Sequence, residues 1–168
     1  MTDGWGDERS REITWHDPKP SLGVAATMTG LEYLRAMGDG TLPPPPVIQL
    51  LGAQLGTVEP GVVSFTLQPH ESHYNPIGVV HGGVLCTMLD SATGCAVHST
   101  LDVGWGYTSI DLNVSYLRGI TLDSGLLTFT GRVVKGGKRV AFASAEGVDA
   151  AGNVIATATS SLLVIAPR

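Results

Sequence analysis

Several kinds of residue are scarce in this chain of 168 residues. Charged side chains make up only 15% of it, the net charge is -5 and lysine and arginine together number 10. Because a nucleic-acid surface needs clustered basic groups to displace phosphate counterions, this balance argues against a nucleic-acid partner. No apolar run approaches the ~20 residues of a membrane-spanning helix, and the N-terminus lacks the apolar core of a signal peptide. We therefore expect a cytoplasmic protein with no membrane partner.

Cysteine is also scarce, with only Cys86 and Cys95 present. On one helix their Cα atoms would be roughly 13 Å apart, which is too far for a disulfide. Two buried, reduced thiols fit a reducing cytosol. Neither cysteine forms a metal-ligand spacing with the histidines, so we expect neither a metal nor a redox cofactor.

Apolar residues are plentiful, at 43% of the chain, and its length favours one domain with a substantial core. Residues 1–46 predict an N-terminal arm with a short amphipathic helix between Thr29 and Gly38. The four prolines of this arm, 43–46, predict a rigid extended connector. The globular domain is predicted over 47–168.

The predicted domain has one long helix and several strands. Alternating side chains predict a strand over Val62–Leu67, paired through a Pro-Gly turn with a strand near 52–58. Helical spacing of apolar residues predicts the long helix between His81 and Thr100. An antiparallel meander of four strands should follow, over 107–117, 126–135, 139–148 and 154–165. The predicted fold class is α+β, with an antiparallel sheet wrapped around one long central helix.

Two features of the predicted helix indicate acyl-transfer chemistry. His81-Gly82-Gly83 stands at its start, where unsatisfied N–H groups carry partial positive charge and glycine permits close approach of a substrate. The Gly83 N–H is our candidate oxyanion-hole donor. Asp90 is the only acidic residue of this apolar helix, and its carboxylate could activate water or attack a carbonyl.

The spacing of Gly83 and Asp90 predicts a shared site between subunits. Seven residues of helix span about 10.5 Å, too far for both groups to reach one carbonyl. Two copies with antiparallel helices would bring Asp90 of one subunit to the Gly83 end of the other. We therefore expect a homodimer or homotetramer.

The pattern Asn75, Gly78, His81-Gly82-Gly83, Leu89-Asp90, Ala92, Gly94 and Ala96 resembles the signature of PaaI-like hot-dog thioesterases of the phenylacetate pathway. The resemblance extends from about Gly52 to the C-terminus. It implies a hot-dog fold, an acyl-CoA substrate, and a dimer or tetramer. It also implies that Asp90 is base or nucleophile, that the Gly83 N–H polarises the thioester carbonyl, that Asn75 orients carbonyl or water, and that Ser109 helps place the water.

Some of these residues have other interpretations. Asn75 precedes a proline and could simply form a turn. His81 could act as a general base, although its position favours fixing the loop. Gly137, Lys138 and Arg139 could bind CoA phosphates, or the two cations could be solvated charges of a hairpin.

Hydrolysis of an acyl-CoA thioester to free acid and CoA, with CoA as part of the substrate and no separate cofactor, is the predicted function. A non-catalytic acyl-CoA-binding or sensing protein on the same fold would retain ligand binding without turnover. A hot-dog dehydratase acting on acyl-carrier protein is a further alternative.

Overall fold

The computed structural model describes residues 4 and 6–167, so the first residues of the predicted arm lie outside it. Four α-helices are present in this part of the chain. Three are short and precede the sheet, and the fourth is the long helix predicted from the sequence. Their bounds are Lys19–Ala25 (α1), Gly30–Gly38 (α2), Pro46–Leu51 (α3) and Gly82–His98 (α4).

Seven antiparallel strands form one sheet in the order β1-β2-β5-β6-β7-β3, and β4 also pairs with β7. Short 3-10 helices, Glu71–His73 and Leu122–Ser124, lie in the connections. The strands are Ala53–Glu59 (β1), Val62–Leu67 (β2), Gly106–Ser109 (β3), Asn113–Tyr116 (β4), Leu127–Lys135 (β5), Val140–Val148 (β6) and Val154–Ile165 (β7).

The sequence predicted that the strand after the long helix begins a meander and pairs with the next strand along the chain. This prediction is wrong. The strand divides into β3 and β4, and both pair with β7, the last strand, rather than with β5. The division occurs at Asp111, whose carboxylate accepts a hydrogen bond from the Ser161 N–H at 2.9 Å. Because a side chain replaces a backbone acceptor here, the regular ladder is interrupted between the two strands.

The sheet curves around α4, which is buried along the face that meets the strands. Met88, Leu89 and Ala92 of this face are fully buried and pack with apolar residues of the sheet. At Gly131 of β5 an added Cβ would overlap the Ala92 carbonyl of the helix, so only glycine allows so close a crossing. The predicted antiparallel sheet around one central helix is confirmed.

The arm packs against the C-terminal end of α4. Helix α2 lies where the sequence predicted it and begins with a capping box, in which Thr29 and Glu32 bond each other's backbone N–H groups. The Gly30 N–H donates to the Leu101 carbonyl at 3.0 Å, and Leu34 is almost fully buried. This contact fixes the arm on the domain.

The proline connector is shorter than predicted. Pro45 has the extended conformation expected, but Pro46 is the first residue of α3, a helix that the sequence analysis did not anticipate. Proline is favourable at the first position of a helix because the N–H it lacks has no partner there. Helix α3 therefore spans the predicted boundary at residue 47.

Within the part of the chain that the structure describes, no helix combines the length and the apolar composition needed to cross a membrane.

Candidate active site

Asp90 lies in the middle of α4 and is held by a residue of β3. The Ser109 Oγ donates a hydrogen bond to Asp90 Oδ1 at 2.9 Å. Residues 90 and 109 are far apart in sequence, and the sheet brings them together because β3 lies beside the helix at the edge of the sheet. The structure thus joins two of the residues that the sequence analysis selected.

Asp90 also lines a cavity of about 590 Å³. Ser91 and Cys95 of the same helix and Tyr107 of β3 line it as well. The opposite wall comes from the end of α2, the prolines, α3 and the start of β1. A volume of this size falls within the range typical of small-ligand pockets, about 300–1,000 Å³.

Tyr107 and Cys95 are site residues that the sequence analysis did not identify. An added Cβ at Gly94 would lie 2.7 Å from the Tyr107 ring, so this glycine lets the ring rest directly on α4, one turn after Asp90. Burial raises the pKa of the Cys95 thiol to about 12 and raises the pKa of Tyr107 well above its ordinary value. Both groups are therefore neutral at physiological pH. Nothing in the sequence indicated Tyr107, and Gly94, four residues after Asp90, indicated only that some group could approach the helix closely there.

Gly83, the candidate oxyanion donor, begins α4 together with Gly82, but its N–H already has a partner. It donates to Nδ1 of His81 at 2.8 Å, so the neutral His81 ring carries its proton on Nε2. His81 thus caps the helix, in agreement with the structural interpretation of this residue. Its ring is exposed, and an incoming oxygen can replace it as the acceptor.

Asn75 forms a turn. Its Oδ1 accepts hydrogen bonds from the N–H groups of Ile77 and Val79, at 3.1 and 3.2 Å. This is the asparagine turn that its place before Pro76 suggested. The side chain holds the loop that leads to the start of α4, and its amide nitrogen has no acceptor among the described residues.

The hairpin with Lys138 and Arg139 joins β5 to β6, and both side chains are exposed. An added Cβ at Gly137 would overlap the Val140 carbonyl, so the tight turn requires this glycine. The adjoining part of β6 packs against Val97, near the C-terminal end of α4. Within one chain the hairpin and Gly83 are therefore at opposite ends of a helix of 17 residues, about 25 Å long.

The described residues contain no group of three or more His, Cys, Asp or Glu side chains placed to hold a metal ion. The expectation of a site without metal or other cofactor stays a prediction.

The Thioesterase superfamily model matches residues 77–156 of this chain, which include Asp90 and Ser109. Human acyl-coenzyme A thioesterase 13 is 33% identical over 92 residues, which are 55% of this chain and 64% of that protein. The chain thus spans just under two thirds of the length of this curated relative.

Solved structures are similar over a larger share of the chain. A putative thioesterase of Ralstonia eutropha JMP134, described as related to phenylacetic acid degradation, is 32% identical with a TM-score of 0.71. The match covers 78% of this chain and 98% of that one. A Streptococcus mutans UA159 protein bound to acetyl CoA is 25% identical, with a TM-score of 0.63 and coverage of 69% and 90%. These likenesses confirm the predicted hot-dog fold.

Proposed function

The chain belongs to the thioesterase superfamily, as its resemblance to PaaI-like proteins predicts, and on that premise we propose that it hydrolyses an acyl-CoA thioester. The observation that carries the proposal is the hydrogen bond from Ser109 to Asp90 at the wall of the cavity. This hydrogen bond supports hydrolysis because it orients the carboxylate and occupies Oδ1 as an acceptor, which leaves Oδ2 free. We assign the other oxygen, Oδ2, to the reacting water.

In the proposed reaction Asp90 acts as a general base. Its Oδ2 takes a proton from water while the water oxygen bonds to the thioester carbonyl carbon. When the resulting oxyanion re-forms the carbonyl, the C–S bond breaks and the sulfur leaves as thiolate. The thiolate takes the proton from Asp90, which yields CoA, the free acid and the original carboxylate. Direct attack by Asp90 would instead give an acyl anhydride that water hydrolyses, with the same products.

The Gly83 N–H is the proposed donor to the developing oxyanion. Because it donates to His81 in the absence of substrate, the thioester oxygen must replace the imidazole as its acceptor. His81 is exposed and can rotate away, so the exchange requires no change in the helix. A backbone donor of this kind typically contributes about 3 kcal/mol to stabilisation of the transition state.

We further propose that the site is shared between two subunits. Gly83 and Asp90 of one helix are about 10.5 Å apart, so one carbonyl cannot contact both. Strand β3 lies at an edge of the described sheet, and such an edge can pair with a second copy. Pairing there would place Ser109 and Asp90 beside the partner helix. A homodimer, or a tetramer built from dimers, is the proposed assembly.

The exposed hairpin cations are proposed to bind CoA phosphates. Lys138 and Arg139 lie near the C-terminal end of their own α4, which antiparallel pairing brings to the N-terminal end of the partner helix. The hairpin of one subunit and Gly83 of the other would then contact the same CoA. The Streptococcus mutans relative with acetyl CoA supports this ligand class. A cytoplasmic location stays a prediction.

A direct experiment compares the wild type with Asp90→Asn on short, medium and aryl acyl-CoAs, with thiol release as the measurement. The amide has the shape of the carboxylate but cannot act as a base, so we expect kcat to fall about 100- to 10,000-fold. Circular dichroism and size-exclusion chromatography verify the fold and assembly of the variant.

Equal rates for the two proteins would contradict the role of Asp90. Tight binding of acyl-CoA by the wild type with no thiol release would favour the binding or sensing protein instead.

A further inference from the structure

The cavity beside Asp90 has two walls of different chemistry. Asp90 and Ser91 of α4 lie on one side, where the proposed reaction occurs. On the other side the arm and helix α3, which follows it, contribute mostly apolar groups, among them Met37, Pro45 and Val47, together with the amide of Gln49. A thioester whose carbonyl is close to Asp90 therefore has an apolar surface available for the acyl group beyond that carbonyl.

The charge of the cavity limits what that group can be. Among the described residues that line it, Asp90 is the only charged side chain, and neither lysine nor arginine is present. Arg11 lies against the lining residue Gly52, but it does not itself line the cavity, and its guanidinium already donates to Ser72. An acyl group with a terminal carboxylate would therefore leave water for a site beside the negative charge of Asp90, with no cation among the lining residues to compensate. An uncharged apolar group incurs neither cost and gains from burial of its surface.

The arm is held firmly enough to serve as a wall. Ile48 of α3 is only 4% exposed, and the residue that follows the helix, Gly52, has a positive φ of 69° that ends it. The Arg11 guanidinium lies against Gly52, and its Nη1 donates to Ser72 Oγ at 3.3 Å. Helix α3 is thus held by the burial of Ile48, and the arm is attached near its end through Arg11.

From these observations we propose that the arm and α3 together form the acyl-binding wall and select uncharged apolar acyl or aryl-acyl groups over acyl groups that carry a carboxylate. This inference rests on the proposed function, because it assigns the acyl end of the same substrate. It gives the arm, which precedes the region matched by the family model, a direct part in substrate choice.

Two neighbouring residues of α3 provide a matched test. Val47 lines the cavity, whereas Leu50 does not, and both side chains are about half exposed, at 43% and 53%. Val47→Phe should narrow the cavity, and Leu50→Phe adds a ring of the same size to the same helix outside it. The measurement is kcat/KM for octanoyl-CoA divided by kcat/KM for propionyl-CoA.

We expect this ratio to fall roughly tenfold in Val47→Phe and to stay at the wild-type value in Leu50→Phe. In the wild type, butyryl-CoA should be hydrolysed at least about tenfold more efficiently than succinyl-CoA, whose acyl group has the same number of carbons but ends in a carboxylate instead of a methyl group. Thermal unfolding of both variants verifies that each is folded.

Equal ratios in the two variants, or equal use of butyryl-CoA and succinyl-CoA, would overturn the inference and leave the proposed hydrolysis intact. An unchanged ratio together with weaker self-association of Val47→Phe would assign the cavity to a second copy of the chain. A wild type that releases no thiol from any acyl-CoA would overturn the proposed function and this inference together.

Discussion

The central helix and the arm line one cavity, but they differ in chemistry, and the superfamily model matches the helix and not the arm. Helix α4 contributes the carboxylate of Asp90 and lies within residues 77–156, the region matched by the superfamily model. The arm contributes an apolar wall and lies before that region. The proposed reaction therefore belongs to the part of the chain that the superfamily model matches, and the proposed substrate choice belongs to the arm and α3, which precede that part.

Asp90→Asn should cause the largest loss of kcat, since it removes the base of the helix wall and leaves the arm unchanged. All acyl-CoAs should lose a similar factor in kcat, because the same carboxylate acts on each of them. A loss confined to long acyl groups would indicate instead that Asp90 shapes the cavity, and would break the distinction between the two walls. The panel of acyl-CoAs proposed above makes this measurement.

Ser109→Ala should have the next largest effect. It removes the hydrogen bond to Asp90 Oδ1, and hydrogen bonds to charged groups contribute about 1.5–3 kcal/mol, so kcat should fall about 10- to 100-fold. Ser109→Thr keeps the hydroxyl and serves as the matched control, with a smaller loss. Octanoyl-CoA and propionyl-CoA should be affected alike. Wild-type kcat in Ser109→Ala would show that Asp90 does not depend on this contact.

The smallest expected effect is on the pH dependence of stability, and it comes from His98, which lies where helix α4 meets the arm. The His98 ring lies 5.7 Å from that of Tyr33 in α2 and 5.4 Å from that of Tyr107, and burial lowers the pKa of His98. The folded protein then binds fewer protons at His98 than the unfolded chain does near pH 6.5 and below. Its free energy of unfolding should therefore decrease as the pH falls from about 7.5 through 6.5.

His98→Gln removes this titration, so its melting temperature should depend less on pH over the same range. Both proteins retain a similar contribution from His73, whose pKa is also lowered by burial. The difference between their pH profiles therefore isolates the contribution of His98. Identical pH profiles would show that the junction between helix and arm does not respond to protonation of His98.

The parts of the fold that depend on local sequence were predictable. The start of α4 followed from two glycines after a histidine, and α2 followed from the spacing of its apolar residues between Thr29 and Gly38. The pairing of the strands was harder to predict from the sequence. Neither β3 nor β4 carries any sign that its partner is β7, because pairing depends on contacts between residues about 50 positions apart.

The candidate site was predictable to a similar extent. Asp90 was conspicuous as a single acid in an apolar helix, whereas Ser109 depended on a family resemblance, since alternation along a strand does not say which face is inward. The arm wall could not be inferred. Val47 and Asp90 line the same cavity although they are far apart in sequence, and a run of four prolines concealed the start of α3.

The central claim is that Asp90 of one subunit acts with the Gly83 N–H of the other, and two variants test it directly. Asp90→Asn removes the base. Gly83→Pro removes the N–H at an early helical position where proline is tolerated. Gly83→Ala is its control, since it also places a Cβ against the His81 ring but keeps the N–H.

The decisive measurement is thiol release by a mixed dimer of one Asp90→Asn subunit and one Gly83→Pro subunit, isolated with two different affinity tags. A shared site leaves one of the two sites intact in this dimer, so we predict about half of the wild-type activity although each parent dimer is nearly inactive. A mixed dimer as inactive as its parents would contradict the account, because it would place both groups of each site in the same chain.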